Sequence, residues 1–163
     1  PAISNVRRNT LTALANVTGS FNRMLSEPRR YQKGMKETYR FVVLGNLLTS
    51  HLATLSYYAQ PNKKYFRSAD LVPVKQQTEK YFEYALDCLA GKKPLASVAQ
   101  ENVWVKMDEK LAALLKRRKE ELAQGQLETI TKQHLVETKS VTDQFAHISG
   151  LAADLYKCST MLD

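Results

Sequence analysis

Cysteine, proline and glycine are scarce in this chain of 163 residues, at 2, 5 and 6. Cys88 and Cys158 cannot build a disulfide scaffold, and neither belongs to a CxxC pair. Their expected state is reduced and buried, which fits a cytosolic compartment. No window alternates apolar and polar residues with period two, and no Asn-Gly or Asp-Gly pair marks a hairpin, so strands are not expected. The first 20 residues lack the basic start and apolar stretch of a signal peptide. Acidic residues are the other shortage. Lys+Arg number 24 against 16 Asp+Glu, a formal net charge of +8. Such an excess raises nucleic acid or another polyanion as a partner. At 44% hydrophobic and 25% charged, the composition excludes disordered and fibrous classes.

What remains is helical periodicity, punctuated by the few prolines and glycines. The length suits a single domain over residues 1–163 that buries roughly 70% of the surface of its unfolded chain. A first helix is expected from about Ser4, its N-cap, to Ser26, burying Ile3, Val6, Leu14, Val17, Phe21 and Met24 or Leu25. Glu27-Pro28 ends it, because the residue before a proline is pushed out of the α region. A second should span Tyr31 to Ala59, opening among Arg29, Arg30, Lys33, Lys36 and Arg40. The third takes Asp70 as N-cap and Pro73 in its first turn, and closes at Ala90 with Gly91 as its left-handed cap. The fourth, Val103 to Gln124, carries Trp104, Met107, Leu111, Leu114, Leu115 and Leu122. The last, Leu127 to Leu162, is firmly patterned from Val141 through Phe145, Ile148, Ala152 and Leu155. Its pattern weakens around Lys132 to Ser140, where a bend or frayed stretch is expected. Short connections favour antiparallel neighbours, so the fold class is all-α, an up-and-down bundle of about five helices. The chain opens at Pro1 without Met and runs straight into periodic sequence, as expected of a domain cut from something longer.

From Phe41 to Asn62 there is no Asp, Glu, Lys or Arg. That length would just cross a bilayer. However, Gly45, Asn46, Thr49, Ser50, His51, Thr54 and Ser56 interrupt it, and residues sort by face. Gly45, Thr49, Ala53 and Ser56 form a small stripe that permits close helix approach, opposite Phe41, Leu44, Leu48, Leu52 and Leu55. The expectation is the central helix of a soluble bundle, with His51 a hydrogen-bonded core residue rather than a ligand.

Catalytic motifs are absent: no GxSxG, P-loop, GxGxxG, HExxH or HxE…CxxC, and no Glu-x-x-His of the di-iron bundles. No catalytic, cofactor or metal residue is assigned. His134 and Glu137 carry the reversed spacing once, as chance would. Glu79, Glu83 and Asp87 recur at i, i+4, i+8 and read as a solvated acidic face balanced by Lys75 and Lys80. A metal-dependent enzyme built on these carboxylates and a histidine is the weakest reading. Lys116-Arg117-Arg118-Lys119 precedes Glu120-Glu121, so Lys116 should face Glu120 and Arg117 should face Glu121. Tyr57-Tyr58 followed by Lys63-Lys64-Tyr65-Phe66-Arg67 has the composition of a stacking platform for single strands. It also suits a stapled helix–helix turn. Asn16-Val17-Thr18 matches a glycosylation sequon inside an amphipathic helix, and is discounted.

The stretches Leu14 to Pro28 (LANVTGSFNRMLSEP) and Thr38 to Gln60 (TYRFVVLGNLLTSHLATLSYYAQ) resemble the C-terminal cytoplasmic domain of the FUSC-like inner-membrane proteins. These are the fusaric-acid-resistance and aromatic-acid-exporter relatives, in particular the YccS/YhfK-type branch. The resemblance covers about Asn5 to Gln60, and no catalytic residue comes with it. It implies a non-catalytic helical domain on the cytoplasmic face of the bacterial inner membrane, serving assembly or regulation of an exporter of aromatic or other organic acids. The partners it implies are the membrane-embedded remainder of the same chain and further copies in a homo-oligomer. No cofactor is implied. The basic residues, read along the chain, spread over turns and helix ends, as suits contact with anionic lipid head groups. The alternative is a basic helical module that binds nucleic acid or another polyanion, though no helix-turn-helix or zinc-finger pattern supports it.

Overall fold

The computed structural model describes residues 2–58, 69–92 and 102–162. It is all-α, with five long helices and, among the described residues, no strand. Helix α1 spans Ala2–Ser26, α2 Met35–Tyr58, α3 Val72–Leu89, α4 Val105–Ala123 and α5 Ile130–Ser159. Their order and number follow the expected pattern, while several ends move for local reasons. Because α1 already begins at Ala2, Ser4 lies inside its first turn and is not its cap. Helix α2 starts later than Tyr31: Arg29–Tyr31 form a 3-10 turn after Pro28, and Gly34 takes φ +64° before Met35. Gln32 fills that gap, its Nε2 donating to the carbonyls of Glu27 (2.8 Å) and Leu25 (3.2 Å), which the end of α1 leaves without partners. Asp70 is not the N-cap of α3. It sits in a 3-10 turn, Ala69–Leu71, and reaches Lys110 Nζ of α4 at 3.4 Å. Gly91, at φ +73°, closes α3 as expected, with Lys92 N–H bonded to the Asp87 carbonyl. Helix α5 begins at Ile130 behind Thr129, whose hydroxyl accepts from Lys132 N–H. It runs unbroken through the weakly patterned 132–140 stretch.

Residue contacts give the helix directions. The rings of Phe21 and Tyr39 meet at a tilt with centroids 5.6 Å apart, and Leu14 meets Gly45, so α1 and α2 run antiparallel. His51 meets Gln144 while Cys158 Sγ lies 3.3 Å from the Glu37 carbonyl, so α2 and α5 are antiparallel as well. Val74 joins Val141, and Tyr84 contacts Tyr156, which makes α3 parallel to α5. Arg118 reaches Thr129 and Met107 packs by Val141, so α4 opposes α5. The result is an up-and-down bundle in which α5 touches α2, α3 and α4, and α1 packs on α2 from outside.

The centre of the bundle is therefore α5. The uncharged stretch of α2 pointed to α2 instead, yet α2 buries only Val42 and Leu44 and leaves Leu47 and Leu52 exposed. One buried cluster joins Leu71, Val74, Met107 and Val141; another joins Leu44, Leu155 and Cys158. Half of the ten buried residues of α5 are hydroxylic: Thr131, Thr138, Thr142, Ser149 and Ser159. Thr142 and Ser159 donate to the carbonyls four residues back, at 2.7 and 2.8 Å, which satisfies them without a cross-helix partner. Among the described residues no buried side-chain polar atom lacks a partner.

Candidate interaction surface

The small stripe on α2 does permit close approach, but over part of its length. At Gly45 the two helices meet: a Cβ placed there would lie 3.0 Å from Leu14 Cδ1. Towards the start of α1 the seam is lined instead by Arg7 and Thr10 on one side and by Thr49, Ala53 and Ser56 on the other. An open groove of about 400 Å³ remains, walled by Val6, Leu11 and Leu52. These three are 65%, 46% and 42% exposed. Of the stripe expected to be buried on α1, Phe21 alone is buried among the described residues; Leu14, Val17 and Met24 are half-buried, Val6 and Leu25 are exposed, and the Ile3 side chain lies outside the described residues.

The same hairpin concentrates the charge. Residues 1–58 hold eight Lys or Arg and two acidic residues, Glu27 and Glu37, a net of +6, while residues 59–163 hold sixteen against fourteen. No acidic residue lies on α1, nor on α2 beyond Glu37. Arg7 and Arg8 stand near the start of α1; Arg23, Arg29, Arg30, Lys33, Lys36 and Arg40 gather around the α1–α2 turn. The excess is thus concentrated in the first 58 residues, which form this hairpin, rather than spread evenly along the chain.

The other candidates resolve into structural roles. Within the basic run, Arg117 meets Glu121 at 3.6 Å as expected, and Lys116 and Lys119 are exposed. Arg118 is not part of a free basic face. It donates to the carbonyls of Gln126 (2.9 Å) and Leu127 (2.7 Å), to Thr129 Oγ1, and lies 3.5 Å from Glu121. Thr129 in turn donates to Glu121 at 2.6 Å. Hydrogen bonds from Thr129 and then Thr131 hold the Glu121 carboxyl below its ordinary range, with smaller help from Arg118 and Arg117. This cluster latches the α4–α5 turn.

His51 Nδ1 lies 2.8 Å from Gln144 Oε1, and its ring stacks on that of His147 with centroids 4.8 Å apart. The pair joins α2 to α5. Sequence reading did not single out His147; its signal was the i, i+3 spacing from Gln144, which puts both on one face of α5. The acidic residues of α3 stay on the outside: Glu79 pairs with Lys75 and Asp87 with Lys92, and Glu83 is exposed. Among the described residues no group of three His, Cys, Asp or Glu converges to hold a metal ion. Tyr57 and Tyr58 meet edge to face at 5.5 Å beside a recess of about 320 Å³ whose wall includes Glu128, Lys132 and Glu137. Two carboxylates against one lysine make a poor phosphate site. The basic residues of the proposed stacking platform, Lys63, Lys64 and Arg67, lie outside the described residues, as do Tyr65 and Phe66. Cys158 is buried, and burial pushes its thiol above the ordinary range. Among the described residues no helix is long and apolar enough to cross a membrane. Comparisons with protein-family models, curated proteins and solved structures find no match for this chain.

Proposed function

We propose that this chain is a non-catalytic helical domain on the cytoplasmic face of an inner-membrane exporter of aromatic or other organic acids, serving its assembly or regulation. The observation that carries the reading is the α1–α2 hairpin. The two stretches that resemble FUSC-like cytoplasmic domains, Leu14 to Pro28 and Thr38 to Gln60, fall largely on this hairpin and its Ser26-Glu27-Pro28 turn. It is also the part of the fold that holds to the rest through one helix and keeps a groove with apolar walls open. A surface of that kind suits a contact with another part of an assembly better than it suits catalysis. The partners proposed with it are the membrane-embedded remainder of the chain and further copies of the domain.

The coding sequence upstream of Pro1 tests the reading. A series of membrane-spanning segments in the same reading frame is the expected result. An upstream region with no such segment overturns it.

A further inference from the structure

We propose that the α1–α2 hairpin docks on an anionic lipid surface. Arg7, Arg8 and the basic residues at the α1–α2 turn meet headgroup phosphates, and Val6, Leu11 and Leu52 enter the boundary between headgroups and acyl chains. Three observations meet on this one hairpin. Its net charge is +6, while the remainder of the chain carries +2. Its apolar side chains are left uncovered next to that charge, with the groove of about 400 Å³ between them. Its basic residues stand at both ends of a 25-residue helix, which is about 37 Å long.

Each feature separates lipid from the other anionic partners. A phosphate backbone offers Val6, Leu11 and Leu52 nothing apolar to enter, whereas the interface of a bilayer does. An acidic peptide lying in the groove would meet Arg7 but would leave the basic cluster at the far end of α1 unused. A bilayer presents negative charge over the whole length of the hairpin, and each basic residue near such a surface strengthens binding about fivefold. The docking rests on the exporter reading only for the presence of a bilayer beside the chain.

Co-sedimentation of the 163-residue chain with vesicles tests it. One set is pure phosphatidylcholine; the other contains about one third phosphatidylglycerol. Partitioning onto the anionic set is expected to exceed that onto the neutral set about tenfold or more, and to fall as salt screens the charge. The double variant Arg7→Gln, Arg8→Gln and, separately, Leu11→Ser, Leu52→Ser should each lower it about fivefold or more. All four residues are exposed, and circular dichroism checks that the helices persist. Lys116→Gln with Lys119→Gln, on the exposed face of α4, should leave it unchanged.

Equal partitioning onto neutral and anionic vesicles overturns the proposal, as does no partitioning at all. Tighter retention on duplex DNA than on anionic vesicles at the same salt also overturns it and assigns the basic hairpin to nucleic acid. Loss of vesicle binding leaves the exporter reading standing. An upstream sequence without membrane spans removes that reading and leaves a measured vesicle affinity intact.

Discussion

At the α4–α5 turn, Glu121 illustrates how one side chain answers to several neighbours at once. Thr129 both caps α5 and donates to Glu121, while Arg118 ties the carboxylate to the turn carbonyls. With its carboxyl held below the ordinary range, the folded chain binds fewer protons here than the unfolded one. The stability from this site is therefore fully present above the unfolded value and is lost as pH falls through the folded one. Urea midpoints measured at about pH 7 and about pH 3 should show the wild type losing more stability on acidification than Glu121→Gln. Equal losses in the two chains would contradict the assignment. Gly150 makes the opposite case. It is exposed in the interior of α5, with no atom within 4 Å of where a Cβ would stand. Gly150→Ala removes a flexible helix residue at no steric cost, and should add about 0.5–1 kcal/mol. A thermal melt should show this as a rise of about 1–4 °C.

Among the elements, α1 and α5 stand at the two extremes. Helix α5 touches three others and has ten buried residues, while α1 buries Phe21 and rests on α2. Local opening follows the number of buried contacts. Hydrogen exchange should therefore be fastest, among the five helices, in residues 5–13 of α1 and slowest around Val141 to Leu155 of α5. Slow exchange throughout α1 would mean that its apolar flank is covered in solution. Much of this arrangement was legible in the sequence. Pro28, Gly91 and Gly125 mark joints, Pro73 marks the start of α3, and the small stripe on α2 marks the approach at Gly45. The rank of the helices was not legible. Freedom from charge suggested that α2 is central, but an uncharged face is also what a groove with apolar walls looks like in sequence. The real centre, α5, hides its burial behind threonine and serine, because a hydroxyl that bonds its own helix backbone can be buried without an apolar pattern. The latch at Arg118 was equally hidden. A basic run followed by glutamates reads as a solvated face, and only the turn that brings Gln126 and Leu127 back to Arg118 separates it from its neighbours.

Across the whole molecule, net charge is distributed unevenly, while apolar exposure is not: Leu86, Leu127 and Ile130, outside the hairpin, are as exposed as Val6. Helices α2, α3 and α4 surround α5, and ion pairs such as Lys75–Glu79, Arg117–Glu121 and Lys139–Asp143 lie on α3, α4 and α5, while the α1–α2 hairpin carries most of the net excess and leaves Val6, Leu11 and Leu52 in contact with solvent. The hairpin is the flank on which the excess positive charge and an open groove with apolar walls coincide. In the proposed function that flank faces the membrane-bound part of an exporter and the lipid around it. The reading also places the chain in one membrane and on one side of it. Cells expressing the intact gene product can be fractionated, and the membranes treated with alkaline carbonate and then with protease, using an antibody against this chain as the readout. The expected result is that the chain sediments with the inner membrane, resists carbonate extraction, and is cleaved in inside-out vesicles but not in intact spheroplasts. Recovery of the intact product in the soluble fraction, or its cleavage from the outer side of the membrane, would contradict the proposed function.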